Sequence, residues 1–270
     1  MIRRISCLMP TYNKLPKSRA LVEEAIESFL RNAEYLHRKT DGQIRAELIL
    51  CNDAPSQILC VADDRRMKEF NAPVTVLNTS PRFDSLGEKL NFMTQHATGE
   101  FLCRWDDDDL SLAPGLWLRV SALLSQSLDY VCFSSFIATN GEATSYEFGS
   151  YAQCMYRATA HAKVGGYRHE SFGEDQDFER RLRNANLAVA RHALPIDDTF
   201  YFYRWGTGSE HVSGFGRDGD GWRKIGNMLV IPGRYELIPR WYEDYDQRAV
   251  IAKEIFRAKE QAKAANSAAV

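Results

Sequence analysis

Phe101-Leu102-Cys103-Arg104-Trp105-Asp106-Asp107-Asp108-Asp109 is the stretch on which the fold turns. Its short apolar run predicts a buried strand, and the strand ends in consecutive carboxylates. Like charges this close repel and raise one another's proton affinity unless a cation or hydrogen-bond donors compensate. Asp also suits turns and helix caps, so a solvated acidic turn is the plain alternative. The place of the strand in the fold separates the two readings, and the flanking sequence supplies it.

Upstream, residues 5–9 form an apolar run stopped by Pro10 and read as a buried strand. Leu21, Val22, Ala25, Ile26, Phe29, Leu30 and Ala33 recur at helical steps, the single apolar stripe of a helix that Asp41-Gly42 ends. Residues 47–51 and 74–77 read as two more buried strands. Ser85-Leu86-Gly87-Glu88 has the form of a capping box. Leu90, Met93 and Ala97 continue that helix, and Gly99 sits where a C-terminal glycine belongs. Strands alternating with helices across 1–110 predict an α/β fold with a doubly wound, mostly parallel sheet. Such sheets bind ligands outside the carboxyl ends of their strands. That rule singles out Thr11-Tyr12-Asn13, Asn52-Asp53 and Asp106 to Asp109. In that position the acidic cluster reads as a site for Mg²⁺ or Mn²⁺, which bind through carboxylates together with substrate phosphates.

Downstream the pattern is less regular. Residues 130–137 and 151–156 read as strands, and 176–185 as a short helix after Gly173-Glu174-Asp175. Residues 206–221 read as a glycine-rich loop. Residues 244–264 read as a helix with Val250, Ile251, Ile255 and Phe256 on one side. The composition is globular: 270 residues, 44% hydrophobic and 26% charged, enough for a sizeable core without staples. A net charge of −2 argues against a dedicated nucleic-acid coat. No apolar run approaches the roughly 20 residues that span a bilayer, and residues 1–6 lack the pattern of a signal peptide. Cys7, Cys51, Cys103 and Cys132 lie in apolar, strand-like stretches at spacings that match no zinc ribbon. The expectation is buried free thiols in a reducing cytoplasm, with no disulfide and no structural zinc.

Several motifs occur together in one order. Pro10-Thr11-Tyr12-Asn13 follows the first strand, Asn52-Asp53 the second, and Trp105-Asp106-Asp107-Asp108-Asp109 the fourth; Gly99-Glu100 precedes that fourth strand. Gly165-Gly166-Tyr167 and Gly173-Glu174-Asp175-Gln176-Asp177 extend the series. In this the chain resembles family 2 glycosyltransferases of the GT-A fold across roughly residues 4–190. The resemblance implies a Rossmann-like, mostly parallel sheet flanked by helices, with a smaller acceptor-side C-terminal half. We divide the chain accordingly into a nucleotide-sugar half (1–110), an acceptor-binding and catalytic half (111–243), and a C-terminal helix and tail (244–270).

The resemblance also implies roles. Pro10, Thr11, Tyr12 and Asn13 match the loop that holds the nucleotide, with Tyr12 available for stacking. Asp53 matches the second of two acidic residues; Asn52 replaces the first, a departure that leaves the identity of the base open. Lys89 matches a position facing the nucleotide. Asp106 and Asp108 match the Asp-x-Asp motif, with Asp108 a metal ligand, Asp106 sharing the metal, and Asp106 or Asp107 near the ribose. Asp175, beside Glu174, matches the catalytic base. His211, in Ser209-Glu210-His211-Val212-Ser213-Gly214, is a candidate metal ligand or a solvated loop histidine. The implied cofactors are Mn²⁺ or Mg²⁺ and a nucleotide-sugar donor, a UDP-sugar first.

Such a reaction needs two groups. A Lewis acid offsets charge on a leaving diphosphate, and a separate carboxylate takes the proton of the attacking hydroxyl. The implied stereochemistry is inversion. Glu174-Asp175 also suits the positive end of a helix, and both readings can hold. The Gln-x-x-Arg-Trp motif of processive synthases is absent. A sugar nucleotidyltransferase would carry a glycine-rich, arginine-containing loop where Pro10-Thr11-Tyr12-Asn13 stands, and an inactive carbohydrate-binding protein would not need Asp106, Asp108 and Asp175. The acceptor is read as a glycan or lipid-linked glycan. A hydroxymethylated base in DNA is the alternative, because Arg217, Arg223, Lys224, Arg234 and Arg240 mix with Trp222, Tyr235, Trp241 and Tyr242. Trp205, Trp222 and Trp241 suit either sugar stacking or the core.

Overall fold

A computed structural model of the chain describes residues 2–13, 15, 18–139, 144–204 and 229–268. The strands are β1 (Arg3–Thr11), β2 (Ile44–Asn52), β3 (Gln57–Val61), β4 (Val74–Asn78), β5 (Phe101–Arg104), β6 (Leu110–Ser111), β7 (Tyr130–Phe133), β8 (Ser135–Thr139), β9 (Thr144–Phe148), β10 (Cys154–Arg157), β11 (Val189–His192), β12 (Tyr201–Arg204) and β13 (Gly233–Leu237). The helices are α1 (Arg19–Lys39), α2 (Arg65–Glu69), α3 (Leu86–Thr94), α4 (Gly115–Ser125), α5 (Ala158–Lys163), α6 (Glu174–Asn184) and α7 (Tyr245–Ala268).

The central sheet has the order β11-β7-β10-β5-β1-β2-β4. Its pairings are parallel except at β10, which runs antiparallel to both β5 and β7. This is the mostly parallel α/β sheet that the sequence predicts. Alternate residues of each strand serve opposite faces. Cys7, Met9, Leu48 and Cys103 join Val22, Ile26 and Phe29 of α1 in one core. Leu8, Ile49 and Leu102 join Leu90 and Met93 of α3 in a second. Burial on both faces explains why these strands read as unbroken apolar runs.

The acidic stretch marks a seam. β5 leaves the central sheet at Arg104, the aspartates follow, and β6 opens a second sheet of order β6-β12-β8-β9. A third pairing, β13 parallel to β3, brings the C-terminal segment back to the first half. That return is fastened to α1, whose Glu23 and Glu24 are buried. The main-chain N–H groups of Ile238 and Tyr242 donate to Glu23 Oε1 at 2.9 Å and Glu24 Oε1 at 3.0 Å. The Arg31 guanidinium lies 3.7 Å from the Trp241 ring centroid, so Trp241 is a packing residue.

The structure differs from the sequence reading in places. β1 continues through Pro10 to Thr11. Trp105 N donates to the Leu8 carbonyl, so two residues on the missing Pro10 N–H faces the side where β5 has already ended. Gly99 does not cap α3, which ends at Thr94. A Cβ there would stand 2.6 Å from Ser6 Oγ and 2.7 Å from Ser6 N, so Gly99 serves a close approach to β1. Residues 130–137 are two strands, β7 and β8, parted at Ser134 and placed in different sheets. α6 begins at Glu174 rather than 176, because Gly173 takes the left-handed conformation (φ 73°) that opens it. α4 carries Leu116, Trp117, Leu118, Val120, Leu123 and Leu124 nearly all round, which hides its periodicity. Val250, Ile251 and Ile255 of α7 face solvent, whereas Tyr245, Ala249 and Ala252 meet the core.

Candidate active site

The site lies along the carboxyl ends of β1, β2 and β5, with the start of α6 beside it. At the β1–β2 end, Asp53 is fully buried and pairs with Lys89 Nζ at 2.5 Å. Lys89 Nζ also donates to the Thr11 carbonyl at 2.6 Å, and Phe83 N donates to Asp53 Oδ2 at 3.1 Å. The predicted N-cap of α3 forms, with Ser85 Oγ accepting from Glu88 N at 3.1 Å, but the Glu88 carboxylate accepts from Asp84 N at 3.1 Å rather than from Ser85 N as a full capping box would. Asn52 is enclosed as well. Its Nδ2 donates to the Gln57 carbonyl at 3.0 Å and to Asn78 Oδ1 at 3.2 Å, and its Oδ1 accepts from Ala54 N at 3.2 Å. Asn52, Asp53 and Lys89 therefore form a framework under the loop. Above them, Tyr12 is half-buried, with the Arg82 guanidinium 4.2 Å from its ring centroid. Burial pushes the Tyr12 phenol up. Asn13 takes a left-handed conformation (φ 48°), which Asn tolerates, and bonds Gln57 Nε2 and the Leu229 carbonyl.

The four aspartates are not equivalent. Asp109 is an anchor: its Oδ2 accepts from the Tyr201 hydroxyl at 2.9 Å and its Oδ1 from Arg204 N at 2.8 Å. Burial and the charges of Asp108 and Asp106 raise its proton affinity well above the usual carboxylate range. Arg204 Nε donates to the Asp108 carbonyl at 2.5 Å, and its guanidinium also meets Glu24 and the Tyr245 hydroxyl. This fixes the turn's backbone to α1 and α7. Asp107 and Asp108 are nearly buried, and Asp106 is half-buried with its Oδ1 2.8 Å from Arg104 Nε.

Across from the turn, Glu174 opens α6 and accepts from Arg104 Nη1 at 2.6 Å. Asp175 follows. Burial, then the Glu174 charge, raise its pKa to about 6, against the opposing pull of Arg104. The loop before α6 rests on α3. Glu170 O accepts from Gly87 N at 3.0 Å, and Ser171 Oγ from Leu86 N at 3.1 Å. A Cβ on Gly87 would stand 1.8 Å from the Arg168 carbonyl oxygen, so only glycine admits this approach. Phe172, between that anchor and Gly173, is 63% exposed.

The strand-end rule singled out Thr11, Tyr12, Asn13, Asn52, Asp53 and Asp106 to Asp109, and the resemblance added Lys89, Glu174 and Asp175. Both missed Arg104, Tyr201, Arg204, Arg82 and Phe172. Only Arg104 left a trace, as a charge inside an apolar strand. His211, Trp205, Trp222, Arg217, Arg223 and Lys224 lie outside the described residues. His161, by contrast, is packed among Tyr156, Tyr167 and Phe178, where burial lowers its pKa to about 4.

Among the described residues, no three His, Cys, Asp or Glu side chains converge to hold a metal ion. The donor set at Asp106 and Asp108 nevertheless fits Mg²⁺ or Mn²⁺, since these hard ions take carboxylate oxygen and commonly share one or two protein ligands with phosphates.

A mostly parallel sheet with carboxylates at its switch edge is the GT-A glycosyltransferase architecture, and solved structures bear this out. S. aureus TarS 1–349 has a TM-score of 0.53 at 16% identity, over 74% of this chain and 60% of that one. The same protein in complex with UDP-GlcNAc gives 0.52 at 15%, over 84% and 62%. Mannosyltransferase PcManGT from Pyrobaculum calidifontis, in complex with GDP-Man and Mn²⁺, gives 0.53 at 16%, over 84% and 61%. The chain thus spans about three-fifths of the length of these proteins. No curated protein matches it by sequence. The family profile "Glycosyl transferase family 2" matches residues 6–174, and the chain belongs to that family of transferases. No helix among the described residues is long and apolar enough to cross a membrane.

Proposed function

We propose that the protein is a metal-dependent, inverting glycosyltransferase that moves a sugar from a nucleotide-sugar, a UDP-sugar first, to a hydroxyl of a glycan or lipid-linked glycan. The observation that carries this reading is the pairing at one sheet edge of an acidic turn with a second carboxylate, Asp175, of raised pKa. Asp106 and Asp108 would hold Mn²⁺ or Mg²⁺, which as a Lewis acid offsets charge on the departing diphosphate. Tyr12 and Arg82 present flat groups for the base, and Asp53 with Lys89 sets the level of the loop that carries Tyr12. Asp175 takes the acceptor proton. A pKa of about 6 leaves it ionised at neutral pH and a stronger base than an ordinary carboxylate. A single displacement at the anomeric carbon inverts its configuration. Phe172 offers the acceptor ring an apolar face beside that base. Six free thiols suit a reducing cytoplasm.

The experiment is calorimetry with UDP, GDP and dTDP in the presence of Mn²⁺, followed by product analysis on saccharide, lipid-linked and hydroxymethylated-DNA acceptors. Binding of one nucleotide with metal, and transfer with inversion, are expected. Failure to bind any of the three would end the proposal.

A further inference from the structure

Arg104 closes β5, and neither the resemblance nor the strand pattern gave it a role. Its guanidinium is almost enclosed, with the side chain 13% exposed. It reaches two elements at once, Asp106 of the acidic turn through Nε at 2.8 Å and Glu174 of α6 through Nη1 at 2.6 Å. Arginine is suited to this. Its planar fork stays charged and can meet two carboxylates at fixed angles, whereas a lysine ammonium is one point on a flexible stem. Without it, Asp106 and Glu174 would face each other as like charges across a nearly dry gap, and the turn and the helix would be driven apart.

We infer that Arg104 is a positioning residue that locks the acidic turn to the N-terminus of α6, holding the leaving diphosphate and Asp175 at one separation. The inference rests on the proposed function, since the separation matters only if Asp175 receives the acceptor proton. Small errors in such a separation are costly, because a displacement of about 1 Å can lower a rate about a hundredfold. The same guanidinium favours the charged form of Asp175, so its loss also moves the pH at which the base becomes available.

The test measures release of nucleoside diphosphate from UDP-GlcNAc and GDP-mannose, with water as acceptor, across about pH 5–9. Arg104→Gln should lower kcat about tenfold or more at neutral pH and move the acid limb up by roughly half to one unit, with a smaller change in UDP–Mn²⁺ affinity. Arg104→Lys should restore the limb but not the rate. Wild-type rate and an unmoved limb in a folded Gln variant would overturn the inference while leaving the proposed function standing. If that variant does not fold, wild-type rate in Arg104→Lys overturns it instead. Failure of the wild-type protein to bind UDP, GDP or dTDP with Mn²⁺ would remove the proposed function and this inference together.

Discussion

The two ends of the site handle charge in opposite ways. Around β1 and β2 the two buried charges match each other: Asp53 has Lys89 and the Phe83 N–H, and Lys89 also has the Thr11 carbonyl. Around β5 and α6, carboxylates outnumber cations. Asp106, Glu174 and Asp175 share one guanidinium, and Asp175 is left with a raised proton affinity. The first arrangement gives a rigid floor. The second stores electrostatic stress of the kind that makes a base or draws in a cation. The contrast fits the proposed division of labour, with binding at the closed end and chemistry at the stressed end.

The largest effect that sharpens this contrast is expected from Asp175→Asn. Turnover should fall by about 10²–10⁴, with UDP–Mn²⁺ affinity unchanged by calorimetry. Unchanged turnover would remove Asp175 from the chemistry. The same residue links pH to stability in the opposite sense. Because its folded pKa of about 6 lies above the ordinary value, the folded protein holds the extra proton between those limits. Stability should therefore fall as pH rises through this window, while activity, with Asp175 as the base, should rise through about 6. Asp175→Asn should accordingly melt higher at neutral pH, by about 2–4 °C for each kcal/mol of relieved stress.

Asp108→Ala ranks next, with turnover down by about 10²–10³ if a Lewis acid contributes several kcal/mol. Full activity of the wild-type protein in a chelator would break this side of the comparison. At the closed end the readout changes from rate to folding. Lys89→Met leaves Asp53 buried without its cation and should destabilise by about 3–5 kcal/mol in urea unfolding. A neutral result would show that the floor is not the rigid element claimed. The smallest effect is expected from Tyr12→Ala, which should weaken nucleotide binding by about 1–3 kcal/mol, the worth of one base–aromatic stack. Loss of turnover at unchanged affinity would move Tyr12 from binding to chemistry.

Much of this was legible in the chain because local physics wrote it there. Buried parallel strands must be apolar on both faces, so β1, β2 and β5 stood out, whereas β4, read as equally buried, is a partly exposed edge strand. The capping box at Ser85 announced α3, and strand-end polar residues announced the site. Where one residue answers to a distant partner, the sequence was silent. Gly99 looked like a helix end because its reason, Ser6 on β1, is far away in the chain. Residues 130–137 looked like one strand because the assignment of β7 and β8 to different sheets is made by their neighbours.

By itself, then, the sequence determined the mostly parallel fold, the edge at which ligands meet it, and the residue types gathered there. Periodicity and strand-end composition are local properties that any reader of the chain can see. Only the tertiary structure decided which aspartate anchors and which remains half-exposed, which acids are stressed, and that Arg104 joins the turn to α6. Those outcomes depend on distances between groups far apart in the chain, such as Arg204 and Asp109 at 95 positions, and a pKa or an ion pair exists only once folding has set those distances.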